Sequence, residues 1–142
     1  MYEELKEEIR KHEGFRAVVY KDSLGKRTVG WGHLCVEDHW EDDKEYSEDY
    51  LKEIFDKDFD NALKNAESLI GERSINHIAK QVIIEMVFQL GIGGVGKFKK
   101  MWEALDKEDY NEASLQMLDS RWAKQTPARC GKLSSKMKTS AL

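Results

Sequence analysis

Two carboxylic acids and a hydroxyl near the N-terminus have the types and spacing that glycoside cleavage needs. Glu13 stands where a short helical pattern meets Gly14, Asp22 follows nine residues later in a turn, and Thr28 begins the next extended run. Acid–base cleavage needs one carboxylic acid that stays protonated, to give its proton to the leaving oxygen. It needs a second that stays ionised, to activate water or attack the sugar. Different surroundings keep two such groups apart in acidity: apolar or crowded for the acid, solvated for the base. A hydroxyl such as that of Thr28 holds the attacking water in line. In a chain with 27 acids the spacing alone also fits a plainer reading. Glu13 is then a surface charge at a helix end, and Asp22 a turn residue that bonds its own backbone.

The elements that must position these groups follow from periodicity. Leu5 and Ile9, spaced i, i+4, predict a helix over 3–12. Ala17–Tyr20 favour a strand, Lys21–Gly25 a turn, and Arg27–His33 a second extended run, so a small antiparallel hairpin is expected. Residues 35–46 are acidic and aperiodic, which predicts a loop. Ser47 is an N-cap candidate, with Glu48 and Asp49 in the first turn of a helix reaching about residue 69. Leu51, Ile54, Phe55, Phe59 and Ala62 trace its apolar face. Gly71 ends it, and Ser74 is a candidate cap for the next helix, whose apolar residues from Ile75 to Leu90 cover more than half its circumference. That helix is expected at the centre of a helical lobe. The run Gly91, Gly93, Gly94 and Gly96 reads as an interhelical turn; it lacks the strand and the Lys-Ser/Thr ending of a phosphate loop. Shorter helices are expected near 97–106, 109–118 and 119–124, before Thr126-Pro127 and a basic C-terminal segment.

The chain has 142 residues, enough for one domain or two small lobes sharing a core. Its net charge of −4 averages a region, 37–60, with 12 acids and three Lys against a tail, 120–142, with six Lys or Arg and no acid. No run approaches the roughly 20 apolar residues of a membrane span, and the charged N-terminus reads as neither signal peptide nor anchor. The tail's cations are scattered around the lone aromatic Trp122, so no nucleic-acid partner is expected; a basic lobe suits an anionic polymer instead. Cys35 and Cys130 match no zinc motif and no disulfide framework, and free thiols are expected, with a bridge between them left open. Gly30 and Gly32 flank Trp31 and mark a close approach of backbone or ligand, either a sugar chain along the hairpin or a twisted edge strand. Asp58 lies on the apolar face of its helix and needs a partner. His33 reads as structural, and His12, His39 and His77 share no ligand spacing, so neither metal nor cofactor is expected.

Three blocks carry a family resemblance. Glu13-Gly14-Phe15-Arg16, Tyr20-Lys21-Asp22, Gly25 and Thr28–Leu34 together resemble the catalytic segment of phage-type lysozymes, the endolysins of T-even phages and relatives in glycoside hydrolase family 24. Met86–Gly91 resembles the end of that family's central helix, and Ser120–Arg129 its Ser-Arg-Trp…Gln-Thr-Pro-x-Arg segment. The blocks follow the family's order and frame residues 8–130. The resemblance implies an α+β fold, one lysozyme-like domain over 1–142 in two lobes. A small β-hairpin lobe spans about 13–46, a connecting helix about 47–70, and a helical lobe about 71–142 together with 1–12.

The implied activity is an inverting muramidase that hydrolyses the β-1,4 bond between N-acetylmuramic acid and N-acetylglucosamine in peptidoglycan. Glu13 would be the general acid, Asp22 the second carboxylate, and Thr28 the residue that positions water. Leu34 and Phe88 match positions lining the substrate cleft. Met101 and Gln116 fall at two more, where the best-known members carry Ser and Asn. Arg129 matches an arginine that pairs with the acid, and His33 and Asp58 match a salt bridge between lobes; Gly30 and Gly32 support the hairpin. Two alternatives stand beside this: a peptidoglycan-binding module with little or no turnover, and a lytic transglycosylase, for which Asp22 and Thr28 would be superfluous. A monomer is expected, made in the cytoplasm without a signal peptide, not inserted in a membrane, and acting on the wall after release by lysis or a partner such as a holin. The connection from His33 to Ser47 is shorter than in the best-known members, and with no counterpart expected for their final helix, either exposed apolar surface or repacking is expected around Leu133, Met137 and Leu142.

Overall fold

Helix α1 (Glu3–Glu13) buries Leu5 and Ile9 on one face, with Glu3 and Glu4 in its first turn and Arg10 and Lys11 in its last, as the helix dipole favours. The computed structural model to which it belongs describes residues 2–141. Gly14 closes α1 through its amide, which bonds the Arg10 carbonyl at 3.0 Å. Strands β1 (Arg16–Lys21), β2 (Arg27–Gly30) and β3 (His33–Leu34) then form an antiparallel sheet in the order β1-β2-β3. The extended run expected over 27–33 is therefore two strands. Positive φ at Gly30 (64°) and Gly32 (77°) turns the backbone at Trp31, so that Val29 pairs with His33.

Residues 35–46 are a loop with a core of their own. Trp40 and Tyr46 are buried with Val29 and Leu51, and Arg27 spans the loop, bonding the Trp40 carbonyl at 2.9 Å and Asp42 at 2.8 Å. Helix α2 (Glu48–Ile70) opens as expected, with the Ser47 hydroxyl accepting from the Tyr50 amide at 3.2 Å. Contacts group the chain into two units, Met1–Asn61 and Ala62–Leu142, and the chain passes from one to the other inside α2. The first unit thus holds α1 together with the sheet.

In the second unit the cap of α3 (His77–Gly96) is Asn76, not Ser74: the Asn76 side chain accepts from the Ala79 amide at 2.8 Å. The interhelical break expected in the glycine run is confined to its first residue. Only Gly91 (φ 79°, ψ 164°) breaks the helix, and Gly93, Gly94 and Gly96 are helical. Taken end to end, α3 has the length and apolar composition of a membrane-crossing helix, but Gly91 divides it. Here that character is used for packing, since every residue from Val82 to Val87 is buried. Four further helices follow: α4 (Lys99–Asp106), α5 (Tyr110–Leu118), α6 (Arg121–Gln125) and α7 (Pro127–Thr139).

The basic C-terminal segment is helix α7, with Pro127 in its first turn, where the missing amide hydrogen costs nothing. α7 packs on α5, Leu133 and Met137 are fully buried, and the Ser114 hydroxyl bonds the Ser134 carbonyl at 2.8 Å. Leu142 lies outside the described residues. Cys35 and Cys130 are free thiols, the second buried. The fold is α+β, as expected: a small antiparallel sheet near the N-terminus and a chain otherwise helical.

Candidate active site

Asp22 is fixed by its own neighbours. Its Oδ1 accepts from the Leu24 and Lys26 amides, both at 2.9 Å, while its amide donates to the Lys26 carbonyl and its carbonyl accepts from Gly25. The β1–β2 turn therefore closes around this carboxylate and leaves its other oxygen, Oδ2, as the one to meet water. Thr28 sits in β2, 4% exposed, and its hydroxyl donates to the Lys26 carbonyl at 3.0 Å. With its proton committed, that oxygen can only accept from a water.

Strand alternation sorts the rest. Val19 packs against the cluster around buried Val29 and Trp40, so Tyr20 and Thr28, one residue along on each strand, take the opposite face. They are paired in register, and Asp22 continues the Tyr20 side two residues on. Tyr20 reports on both carboxylates at once. Burial raises its phenol above the usual value, Arg16, stacked 4.7 Å over the ring, opposes this, and the charges of Glu13 and Asp22 add to the rise. Both acids therefore lie within electrostatic reach of one phenol.

Glu13 ends α1 with its carboxyl over the β2–β3 turn, where a Cβ built on Gly32 would stand 2.6 Å from its Oε1. Gly30 closes on Leu51 instead, at 3.4 Å from an added Cβ. The close approaches expected at these two glycines are thus made by protein groups. Leu34 is exposed in β3.

His33 bonds Asp58 at 2.8 Å through Nδ1 and Glu37 at 3.0 Å through Nε2, so Asp58 has the partner its position demands. Burial alone would lower the imidazole's pKa, but the bonds to Asp58 and Glu37 outweigh it and the net shift is upward. Glu37, bonded by His33 and by the Trp40 indole at 2.7 Å, is held at about 2.

In the second unit, Met101 and Gln116 line a cavity of about 540 Å³ with Phe98, Trp122, Lys97 and Arg121. Met101 is fully buried in its floor. Phe88 is half-buried on α3. Arg129 on α7 donates to Glu85 on α3 at 3.0 Å, and Glu85 is fully buried.

A family model described as phage lysozyme matches residues 10–138. The chain belongs to the phage lysozyme family. It is 26% identical to a probable T4-type lysozyme of Dictyostelium discoideum over 100% of this chain and 98% of that protein. It is 29% identical to the pre-baseplate central spike protein Gp5 of Enterobacteria phage T4, over 89% of this chain and 26% of that protein. The peptidoglycan hydrolase gp36 of Pseudomonas phage phiKMV is 26% identical over 87% of this chain and 14% of its own length. This lysozyme is accordingly a glycoside hydrolase of peptidoglycan-degrading type.

Within the first unit of the lysozyme, the residues singled out from sequence stand on α1 (Glu13), on the sheet and its turns (Asp22, Thr28, Gly30, Gly32, His33 and Leu34) and on α2 (Asp58). Sequence reasoning missed Tyr20, Glu37 and Glu85. Tyr20 was legible as the residue two before Asp22 on one strand face. Glu85 was legible too, as a lone acid inside the apolar run Val82–Val87, which demands a partner by the rule that exposed Asp58. Glu37, in an aperiodic loop, carried no signal.

Proposed function

We propose that this lysozyme hydrolyses the β-1,4 bond between N-acetylmuramic acid and N-acetylglucosamine in peptidoglycan, with inversion at the anomeric carbon. Glu13 protonates the leaving oxygen. Water donates one hydrogen bond to Asp22 Oδ2 and one to the Thr28 hydroxyl, which aims its lone pair at the anomeric carbon. The observation that carries this reading is the commitment of the other atoms: Asp22 Oδ1 to two backbone amides and the Thr28 proton to the Lys26 carbonyl. What remains at both residues is an acceptor, which suits a water that must be held and deprotonated. Leu34, Phe88 and Gln116 contact the glycan, whereas Met101, which has no exposed surface, backs the cavity that Gln116 lines instead of touching sugar; Arg129, which bonds Glu85, serves geometry more than acidity. The substrate is the wall of a bacterium, reached after release from the cell that makes the enzyme, and the enzyme acts as a monomer with no metal or cofactor.

Product analysis on purified peptidoglycan tests the proposal. Mass spectrometry is expected to show products carrying added water, and NMR of the first-formed reducing end an inverted anomer. Glu13→Gln is expected to lose about 10²–10⁴-fold of the rate, the scale of general acid catalysis. Anhydro products would assign a transglycosylase. Parental turnover by Glu13→Gln would remove the acid assignment.

A further inference from the structure

The space where a Gly32 side chain would stand is already filled. A Cβ built there meets Glu13 Oε1 at 2.6 Å and its Cδ at 3.2 Å. Conformation alone does not explain the residue: Gly14 and Gly25 share a φ above 70°, yet an added Cβ at either meets nothing within 4 Å. Gly32 differs in what lies over it.

The neighbouring residue, Trp31, keeps the two parts in register. Its ring packs 4.6 Å from Phe15 and 6.0 Å from Phe55. The Arg10 guanidinium, one helical turn before Glu13, lies 5.9 Å from Trp31 and 5.1 Å from Phe55. The end of α1 and the β2–β3 turn are therefore clamped around the same aromatic rings, and the Glu13 carboxyl comes down on the bare Cα between them.

We propose that Gly32 is a positioning residue for the general acid, its missing side chain forming the seat of the Glu13 carboxyl and not a groove for sugar. The inference rests on the reading of Glu13 as the acid. A backbone surface restrains the carboxyl on one side while leaving its other side to the leaving oxygen. A methyl group at this position displaces the flexible end of Glu13, not the backbone, so the loss falls on turnover. Misplacing a reacting group by about 1 Å costs up to roughly 100-fold.

The test compares Gly32→Ala with Gly91→Ala. Both place a side chain at a φ near 80°, but the Gly91 position is open, with nothing within 4 Å. The two variants are expected to lose similar Tm through the same backbone strain. Gly32→Ala is expected to lose about 100-fold in kcat with KM within about twofold, while Gly91→Ala keeps the parental kcat. Binding of a soluble peptidoglycan oligosaccharide, by calorimetry, is expected to give the same Kd for Glu13→Gln and for Glu13→Gln with Gly32→Ala. A kcat for Gly32→Ala within about threefold of the parent overturns the proposal. So does weakened oligosaccharide binding in the double variant, which would mean that sugar occupies the space. If Gly32→Ala does not fold, Gly32→Asn, which tolerates positive φ better, carries the same expectations. Parental turnover by Glu13→Gln overturns the acid assignment itself and is read separately from the Gly32 result.

Discussion

Asp22 and Glu13 lie nine residues apart and are held by different means. Every group that fixes Asp22 comes from the four residues after it: the Leu24 and Lys26 amides on its carboxylate, and the Gly25 amide on its carbonyl. Nothing distant is needed, and the turn carries its own carboxylate. Glu13 stands at a helix end, and its place is set by Gly32 from another element, with Trp31, Phe55 and Arg10 clamping the two together. One site is a local motif, the other a product of packing. The difference suits the proposed division of labour. A water-directing carboxylate must hold one direction, which a closed turn supplies, whereas an acid must reach a leaving oxygen, which a seat on bare backbone leaves open.

The sharpest way to break this contrast is to remove the packing. Phe55 is fully buried and touches both Trp31 and Arg10. Phe55→Ala is expected to cost about 3–5 kcal/mol in urea unfolding. Among surviving folded molecules it is expected to impair Glu13's function far more than the Asp22 turn. Amide exchange checks this: protection of the Leu24 and Lys26 amides should outlast that of α1, and simultaneous loss would show that the turn is not autonomous.

The second prediction separates charge from turn at Asp22. Asn keeps an Oδ1 that can accept both amide bonds, so Asp22→Asn should leave the unfolding midpoint in place while activity falls about 100-fold or more. Asp22→Ala should lose the same activity and, in addition, about 1–2 kcal/mol of stability as the two amides lose their acceptor. Equal midpoints for Asn and Ala would mean that the carboxylate does not hold the turn.

A smaller effect concerns His33, a third long-range device of the same unit. Its pKa is raised above 6.5, so its contribution to stability is complete below that value and fades as pH rises through the folded-state value. Glu37 moves the other way, from 4.5 to about 2, so its contribution is present above 4.5 and is lost as pH falls toward 2. The Tm difference between the parent and His33→Ala should therefore be largest between pH 4.5 and 6.5 and shrink on both sides. Glu37 is 45% exposed, so solvent screening keeps its part of this difference modest. A difference that does not vary with pH would leave only packing at this position.

The same divide governs how much was legible. Helices α1 and α2 followed from apolar spacing and from Ser47, because period and cap are written in adjacent residues. The hairpin followed from its turn residues. The third strand did not, because Thr28-Val29-Gly30-Trp31-Gly32-His33 reads as one extended run until Gly30 and Gly32 are seen to turn it. Ser74 and Asn76 are both good caps, and only the observed start of α3 chooses between them. The glycine run of α3 reads as a turn throughout, yet only Gly91 makes the break, because glycine permits a turn without requiring one. Asp58 on an apolar helix face and Glu85 inside an apolar run each declare a need for a partner, but neither names it: His33 and Arg129 come from other elements.

By itself, the sequence determined the chemistry available and the local motifs that carry it. It supplied two carboxylates and a hydroxyl at the start of the chain, and a turn whose bonds all lie within Asp22–Lys26. It also supplied the three blocks that mark a phage lysozyme. The tertiary structure decided which distant groups meet: the Glu13 carboxyl on Gly32, nineteen residues away, and Arg129 on buried Glu85, 44 residues away. The physical reason is reach. A hydrogen bond within a turn follows from a few dihedral angles, whereas a contact between a helix end and a sheet turn exists only after the aromatic core has placed both.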